Sequence, residues 1–221
     1  MKLLCEFVGL DQLEVIREDF QDASGETKKV YKLKGPFLEA EKKNRNGRVY
    51  AHDILEREVG DFTETKIKTK RAMGELDHPE NPQINLERVS HIIEDLQMRD
   101  NIGFGVARIL DTPKGRISET LVKEGIVMGM STRGVGSLDG ENVQDDYKLI
   151  TIDIVADPSA PHAFVEGVLE NKEYVMEGDK IVEMAVDALQ KKVDKKYDPR
   201  DLSGETLSYL KSFLNDIRKV S

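Results

Sequence analysis

The sequence predicts an α+β domain built mainly from antiparallel strands. Short runs of β-branched and apolar residues outnumber helical patterns across about the first 170 of 221 residues. Turn signals rich in Gly, Asn, Pro and Ser separate those runs. No regular strand–helix–strand alternation appears, which argues against a parallel sheet.

The elements follow in chain order. The first twenty residues alternate poorly and read as a short strand plus an acidic linker. Ser24-Gly25 marks a turn, and Val30 to Leu33 a strand that enters Gly35-Pro36. Asn44-Arg45-Asn46-Gly47-Arg48 is a loop of residues that tolerate left-handed backbone. Ile54, Leu55 and Val59 recur at helical spacing within Ala51 to Val59. Val89 to Met98 and Phe104 to Leu110 read as strands joined by a turn at Asp100-Asn101. Asp111-Thr112-Pro113 is a helix start, and Ile117, Leu121, Val122 and Ile126 give its apolar face, with Gly125 near its end. Val127 to Ser137 is a strand rich in Gly, Ser and Thr. Tyr147 to Val155 is another, with Leu149, Thr151 and Asp153 on one side and Ile150, Ile152 and Ile154 on the other. Asp157-Pro158-Ser159-Ala160-Pro161 breaks it. Leu207, Leu210, Leu214 and Ile217 share one helical face. The expected division is therefore a domain over 1–176 and a helical C-terminal tail over 177–221.

The formal net charge of −9 disfavours nucleic-acid binding through a basic face. Lys66 to Arg71 is a local basic exception that reads as a solvated turn. No apolar run approaches the roughly 20 residues of a membrane span, and Met1 to Phe7 turns acidic too soon for a signal peptide. The single cysteine, Cys5, rules out an internal disulfide and fits a reducing compartment.

Three features carry chemistry. Gly74-Glu75-Leu76-Asp77-His78-Pro79 presents a histidine, the side chain best suited to proton transfer near neutrality. On residue type alone a surface histidine in a proline turn is the favoured reading. Gly129-Met130-Ser131-Thr132-Arg133-Gly134 places a hydroxyl among glycines, where a substrate backbone can approach and amides are free. It is not a G-x-S-x-G elbow, because Arg133 replaces the second glycine. A glycine-rich edge strand is the plain alternative. Asp153, flanked by Ile152 and Ile154, must be paired if buried, either by orienting a histidine or in a structural salt bridge.

Taken together the motifs are recognisable. Gly35-Pro36-Phe37-Leu38-Glu39-Ala40, Asn44 to Tyr50, Gly74 to Pro79, Ser131 to Leu138 and Asp157 to Pro161 resemble, in that order, the T4-type phage prohead core protein protease family. The similarity runs from about Tyr31 to about Glu170. The resemblance implies a herpesvirus-assemblin-like fold, a barrel of mainly antiparallel strands ringed by helices. It implies a serine endopeptidase needing no cofactor. Such an enzyme cleaves scaffold, core and major capsid proteins inside the immature phage capsid in the host cytoplasm. The family histidine falls on His78 and the family serine on Ser131, with the third member at Asp153. Relatives often carry two adjacent serines, and here the second is Thr132. The oxyanion donors would be amides after the serine or in the Pro158 to Ala163 loop. The resemblance also implies cleavage after Glu in an Ile/Leu-x-Glu pattern. Ile181-Val182-Glu183-Met184 fits it, so the tail is expected to be removable. Herpesvirus relatives dimerise, which makes a homo-oligomer an expectation; neither nucleic acid nor membrane is an expected partner.

Two rival classes stand beside this. A metal-dependent hydrolase would draw on Glu75, Asp77, His78, His91, Glu94 and Asp95, whose spacing matches no H-E-x-x-H pattern. A non-catalytic capsid scaffold or assembly protein would suit the acidic charge and the tail. The distance between His78 and Ser131 discriminates between catalysis and a scaffold role.

Overall fold

The longest strand, β3 (Thr27–Glu39), carries Val30, Leu33, Phe37 and Leu38 into the core. This computed structural model describes residues 1–8, 13–79, 81–156, 173–177 and 180–184. β3 runs straight through Gly35-Pro36, where the sequence predicts its end. A register shift against its neighbour between Pro36 and Leu38 lets the strand continue past a residue without an N–H.

The preceding acidic stretch is not a linker. It forms β2 (Glu14–Gln21), which pairs antiparallel with β3. Cross-strand ion pairs Lys29–Asp19 and Lys32–Glu18, both 2.6 Å, explain how a charged sequence forms a strand at a sheet edge. β4 (Met73–Glu75), β5 (Val89–Arg99) and β6 (Ile102–Ile109) complete a five-stranded sheet of order β2-β3-β6-β5-β4. β1 (Lys2–Val8), β7 (Gly129–Gly136) and β10 (Lys148–Val155) form a second, three-stranded sheet with β7 in the middle. Every pairing in both sheets is antiparallel. β8 (Leu138–Asp139) with β9 (Asn142–Val143) is a small hairpin, as is β11 (Glu173–Glu177) with β12 (Lys180–Met184).

The first helix, α1 (His52–Phe62), buries Ile54, Leu55, Val59 and Phe62 and continues as a wider turn over Thr63–Ile67. The following basic residues, Lys66, Lys68, Lys70 and Arg71, are exposed. The second, α2 (Pro113–Lys123), starts as the sequence predicts, with Thr112 Oγ1 accepting from Gly115 N at 3.0 Å and Pro113 in the first turn. Its packing differs. Ile117 is 46% and Ile126 53% exposed, whereas Gly115 and Ser118 are buried. The helix backbone lies so close to Leu110 O that a Cβ on Gly115 would meet it at 1.9 Å. Close approach through a small residue, together with Leu121 and Val122 of the expected apolar face packed against the core, seats this helix.

The α+β class and the dominance of antiparallel strands are as expected. The closed barrel is not: among the described residues the two main sheets stay open, and two α-helices flank them rather than a ring. They meet through a parallel bridge between Leu76 and Ile154. One compact unit spans Met1–Met184 and a second Ala185–Ser221. β12 therefore lies in the first unit, and it contains the Ile181-Val182-Glu183-Met184 sequence expected in a helical tail. The Leu207 to Ile217 face and the Asp157 to Pro161 break lie outside the described residues.

Candidate active site

β7 is buried along its whole length. Its glycines answer to packing: a Cβ on Gly134 would meet the Tyr147 ring at 2.4 Å, and one on Gly136 would crowd the same residue. Strand alternation sends Met130 into the main core, while Ser131, Arg133 and Val135 point to the other face. Asp153 on β10 pairs directly with Ser131, so the two side chains share that face. A register shift between Leu149 and Thr151 breaks the alternation expected for β10: Leu149 joins Ile152 and Ile154 in the main core, and Ile150 alone turns to the Leu3–Cys5–Val135 cluster.

His78 arrives from the other sheet. Gly74 on β4 packs so tightly against His91 Nε2 and Ile152 O that a Cβ would meet them at 2.2 and 2.3 Å. After the bridge at Leu76, Asp77 N donates to Ile154 O at 2.7 Å. Asp77 takes φ 70°, the left-handed region that Asp tolerates better than most residues, and its Oδ1 accepts from His78 N at 3.0 Å. This turn delivers the imidazole to the β7–β10 face.

There His78 Nδ1 lies 2.9 Å from Asp153 Oδ2 and His78 Nε2 lies 2.6 Å from Ser131 Oγ. Burial pushes the Asp153 carboxyl up, but hydrogen bonding to His78, the Arg133 charge and the Glu75 amide together hold it below its ordinary value. An ionised Asp153 only accepts, so Nδ1 carries the proton and Nε2 is free to accept from the serine hydroxyl. Ser131 Oγ also lies 2.8 Å from Glu6 O on β1. Thr132 points to the opposite face. Its Oγ1 lies 3.4 Å from Glu6 O, and it lines a cleft with Lys42, Lys43, Arg45 and Tyr50. The structure thus brings His78, Ser131 and Asp153 together and leaves Thr132 out of reach of the imidazole.

The family model for the prohead core protein serine protease matches residues 9–173. The chain belongs to this family. It is 36% identical over 141 residues to the prohead core protein protease of Enterobacteria phage T4, a match covering 60% of this chain and 66%, just under two thirds, of that relative. Among solved structures, the bacteriophage T4 capsid assembly protease, gp21, matches with a TM-score of 0.63 at 32% identity. That match covers 71% of this chain and 98% of gp21.

Residues beyond the three also build the site of this prohead protease family member. Arg133, fully buried, donates from Nη2 to Glu75 Oε2 at 2.7 Å and to Asp153 Oδ1 at 3.3 Å, and from Nη1 to Asn81 O at 2.6 Å. Its Nε lies 2.9 Å from Asp153 Oδ2, an ion-pair contact too poorly aligned for a hydrogen bond. Glu6 ties β1 to the Asn44–Tyr50 loop. Its carboxylate accepts from Asn44 (2.6 Å), Asn46 (2.8 Å), Arg48 (2.8 Å) and Tyr50 (2.9 Å). A buried acid in the acidic N-terminal stretch carried no local signal of either role. The residues weighed as metal ligands disperse instead. His91 is enclosed by Ser90 and Ile152 O, Glu94 pairs with Lys32 and Arg108, and Glu75 with Arg133. Among the described residues no three His, Cys, Asp or Glu side chains are grouped to hold an ion. The Pro158 to Ala163 loop lies outside the described residues.

Proposed function

We propose that this chain is a serine endopeptidase of phage prohead maturation, cleaving scaffold, core and major capsid proteins inside the immature capsid through Ser131, His78 and Asp153. The single observation that carries it is the continuous hydrogen-bonded chain from Asp153 through His78 to Ser131, with spacings of 2.9 and 2.6 Å. Membership of a serine-protease family supports the same reading.

The chemistry follows from the tautomer. As Ser131 Oγ attacks the scissile carbonyl, its proton passes to His78 Nε2, and the imidazolium is stabilised by the Asp153 carboxylate. His78 then gives that proton to the leaving amine, which departs and leaves an acyl ester on Ser131. A water repeats the sequence with His78 as base, releasing the acid and restoring the serine. Of the two sources of oxyanion donors expected from the sequence, the amides that follow Ser131 are paired into the sheet on both sides of β7, which leaves those of residues 158–163 as the proposed donors. Cleavage after Glu and removal of the C-terminal tail belong to the same proposal, as does self-association.

The test is incubation of the purified chain with its cognate scaffold protein. Ser131→Ala is expected to lower cleavage by roughly 10⁴-fold or more with the unfolding temperature unchanged. Cleavage at the parental rate contradicts the assignment.

A further inference from the structure

Glu75 touches neither Ser131 nor His78, yet it is fully buried beside them. Its neighbours form a row of charges. Glu75 Oε2 meets Arg133 at 2.7 Å, Arg133 meets Asp153 at 2.9 Å, and Asp153 meets His78 at 2.9 Å. The resting row carries −1, +1 and −1, a net charge of −1 with His78 neutral. Transfer of the serine proton to His78 brings the row to zero. Without Glu75 the Asp153 charge would be cancelled by Arg133, and the same step, which leaves its compensating negative charge on the substrate oxyanion, would bring the row itself to +1 in a buried setting. Buried, uncompensated charge is the costly case.

We propose that Glu75 is a positioning residue for catalysis: as the counter-ion of Arg133, it frees Asp153 to stabilise the His78 imidazolium. The proposal rests on the Ser131–His78–Asp153 reading above. It assigns Glu75 no contact with substrate. Its second carboxylate oxygen accepts from Asn85 N at 2.5 Å, and its own amide donates to Asp153 Oδ1 at 3.0 Å, so charge and backbone act on the same aspartate.

The other titratable groups around the imidazole do not replace it. Cys5, from β1, is pushed up to about 12 by burial and stays neutral, and His91, from β5, is brought down to about 4 by burial and is neutral in the working range. Glu6 is engaged by Arg48, and its carboxylate faces the Asn44–Tyr50 loop. Asp77 is exposed. Arg88 reaches Leu76 O at 3.4 Å. Glu75 and Arg133 are therefore the fully buried charges, among the described residues, that balance Asp153.

Charge balance makes a prediction that packing does not: opposite signs for the two single variants and cancellation in the double. In the full-length protein with a peptide substrate, Glu75→Gln is expected to move the acid limb of the kcat/KM profile down by roughly one pH unit and to lower kcat roughly tenfold. KM should stay unchanged. Arg133→Gln, with a resting charge of −2, is expected to move the acid limb up by a similar amount. The double variant should return it to the parental position. If Glu75→Gln does not fold, Arg133→Gln tests the same balance from the other side. Acid limbs that coincide in the parent and both singles, or that move the same way in both singles, overturn the proposal. Ser131→Ala runs alongside: activity surviving there overturns the triad reading and this inference together, whereas a dead Ser131→Ala with unmoved acid limbs overturns this inference alone.

Discussion

Glu6 is the residue through which β1 is fixed beside the nucleophile. Its carboxylate is the common acceptor for Asn44, Asn46, Arg48 and Tyr50, and its carbonyl oxygen lies against Ser131. Truncation leaves the buried Tyr50 hydroxyl and the half-buried Arg48 charge without that acceptor. Glu6→Ala is therefore expected to cost about 3 kcal/mol, read as a lower urea midpoint at unchanged slope. A midpoint equal to the parent's contradicts it. His78, Ser131 and Asp153 were legible as candidates: each local pattern left a plain structural reading open, and the ordered motifs of the resemblance singled the three out. Glu6, Glu75 and Arg133 were not. A buried charge looks like a surface charge in sequence, and the partners that permit burial lie 44, 58 and 20 residues away.

Strand β10 is held against β4 and β5 by His91, whose Nε2 donates to Ile152 O at 2.9 Å while Ser90 Oγ lies 2.9 Å from its Nδ1. Burial lowers this histidine from 6.5 to about 4. Below pH 6.5 the unfolded chain binds a proton that the folded chain refuses until about pH 4. The stability contributed by neutral His91 is complete above pH 6.5 and is lost progressively as pH falls toward 4, a loss of about 3 kcal/mol. His91→Gln, which keeps a donor for Ile152 O, is expected to flatten the dependence of unfolding free energy on pH between 7 and 4.5. That range stays above the window in which Asp153, held below 3.8, titrates. Equal slopes in parent and variant contradict the assignment. Element existence was readable from patterning at β3, β5, β6, β7 and β10. The departures came from backbone geometry that side-chain patterns do not carry: a bulge that reverses Leu149 and Ile150, a strand that continues past Pro36, and a helix seated on Gly115.

At the scale of the whole molecule, the site lies where two antiparallel sheets meet. The three-stranded sheet supplies Ser131, Arg133 and Asp153, and the strand β4 and its exit turn supply Glu75 and His78. The bridge from Leu76 to Ile154 joins them within reach of the imidazole. The α+β class was legible from strand count and the lack of βαβ alternation. The barrel came from resemblance alone, and the described sheets stay open. Alternation along β7 puts Ser131 and Thr132 on opposite faces of one strand, so a single residue of register separates the proposed nucleophile from a bystander. Peptide mapping of the full-length protein after reaction with a fluorophosphonate tests this most directly. The adduct is expected on Ser131 and should vanish in Ser131→Ala; an adduct on Thr132, or one that survives Ser131→Ala, contradicts the account.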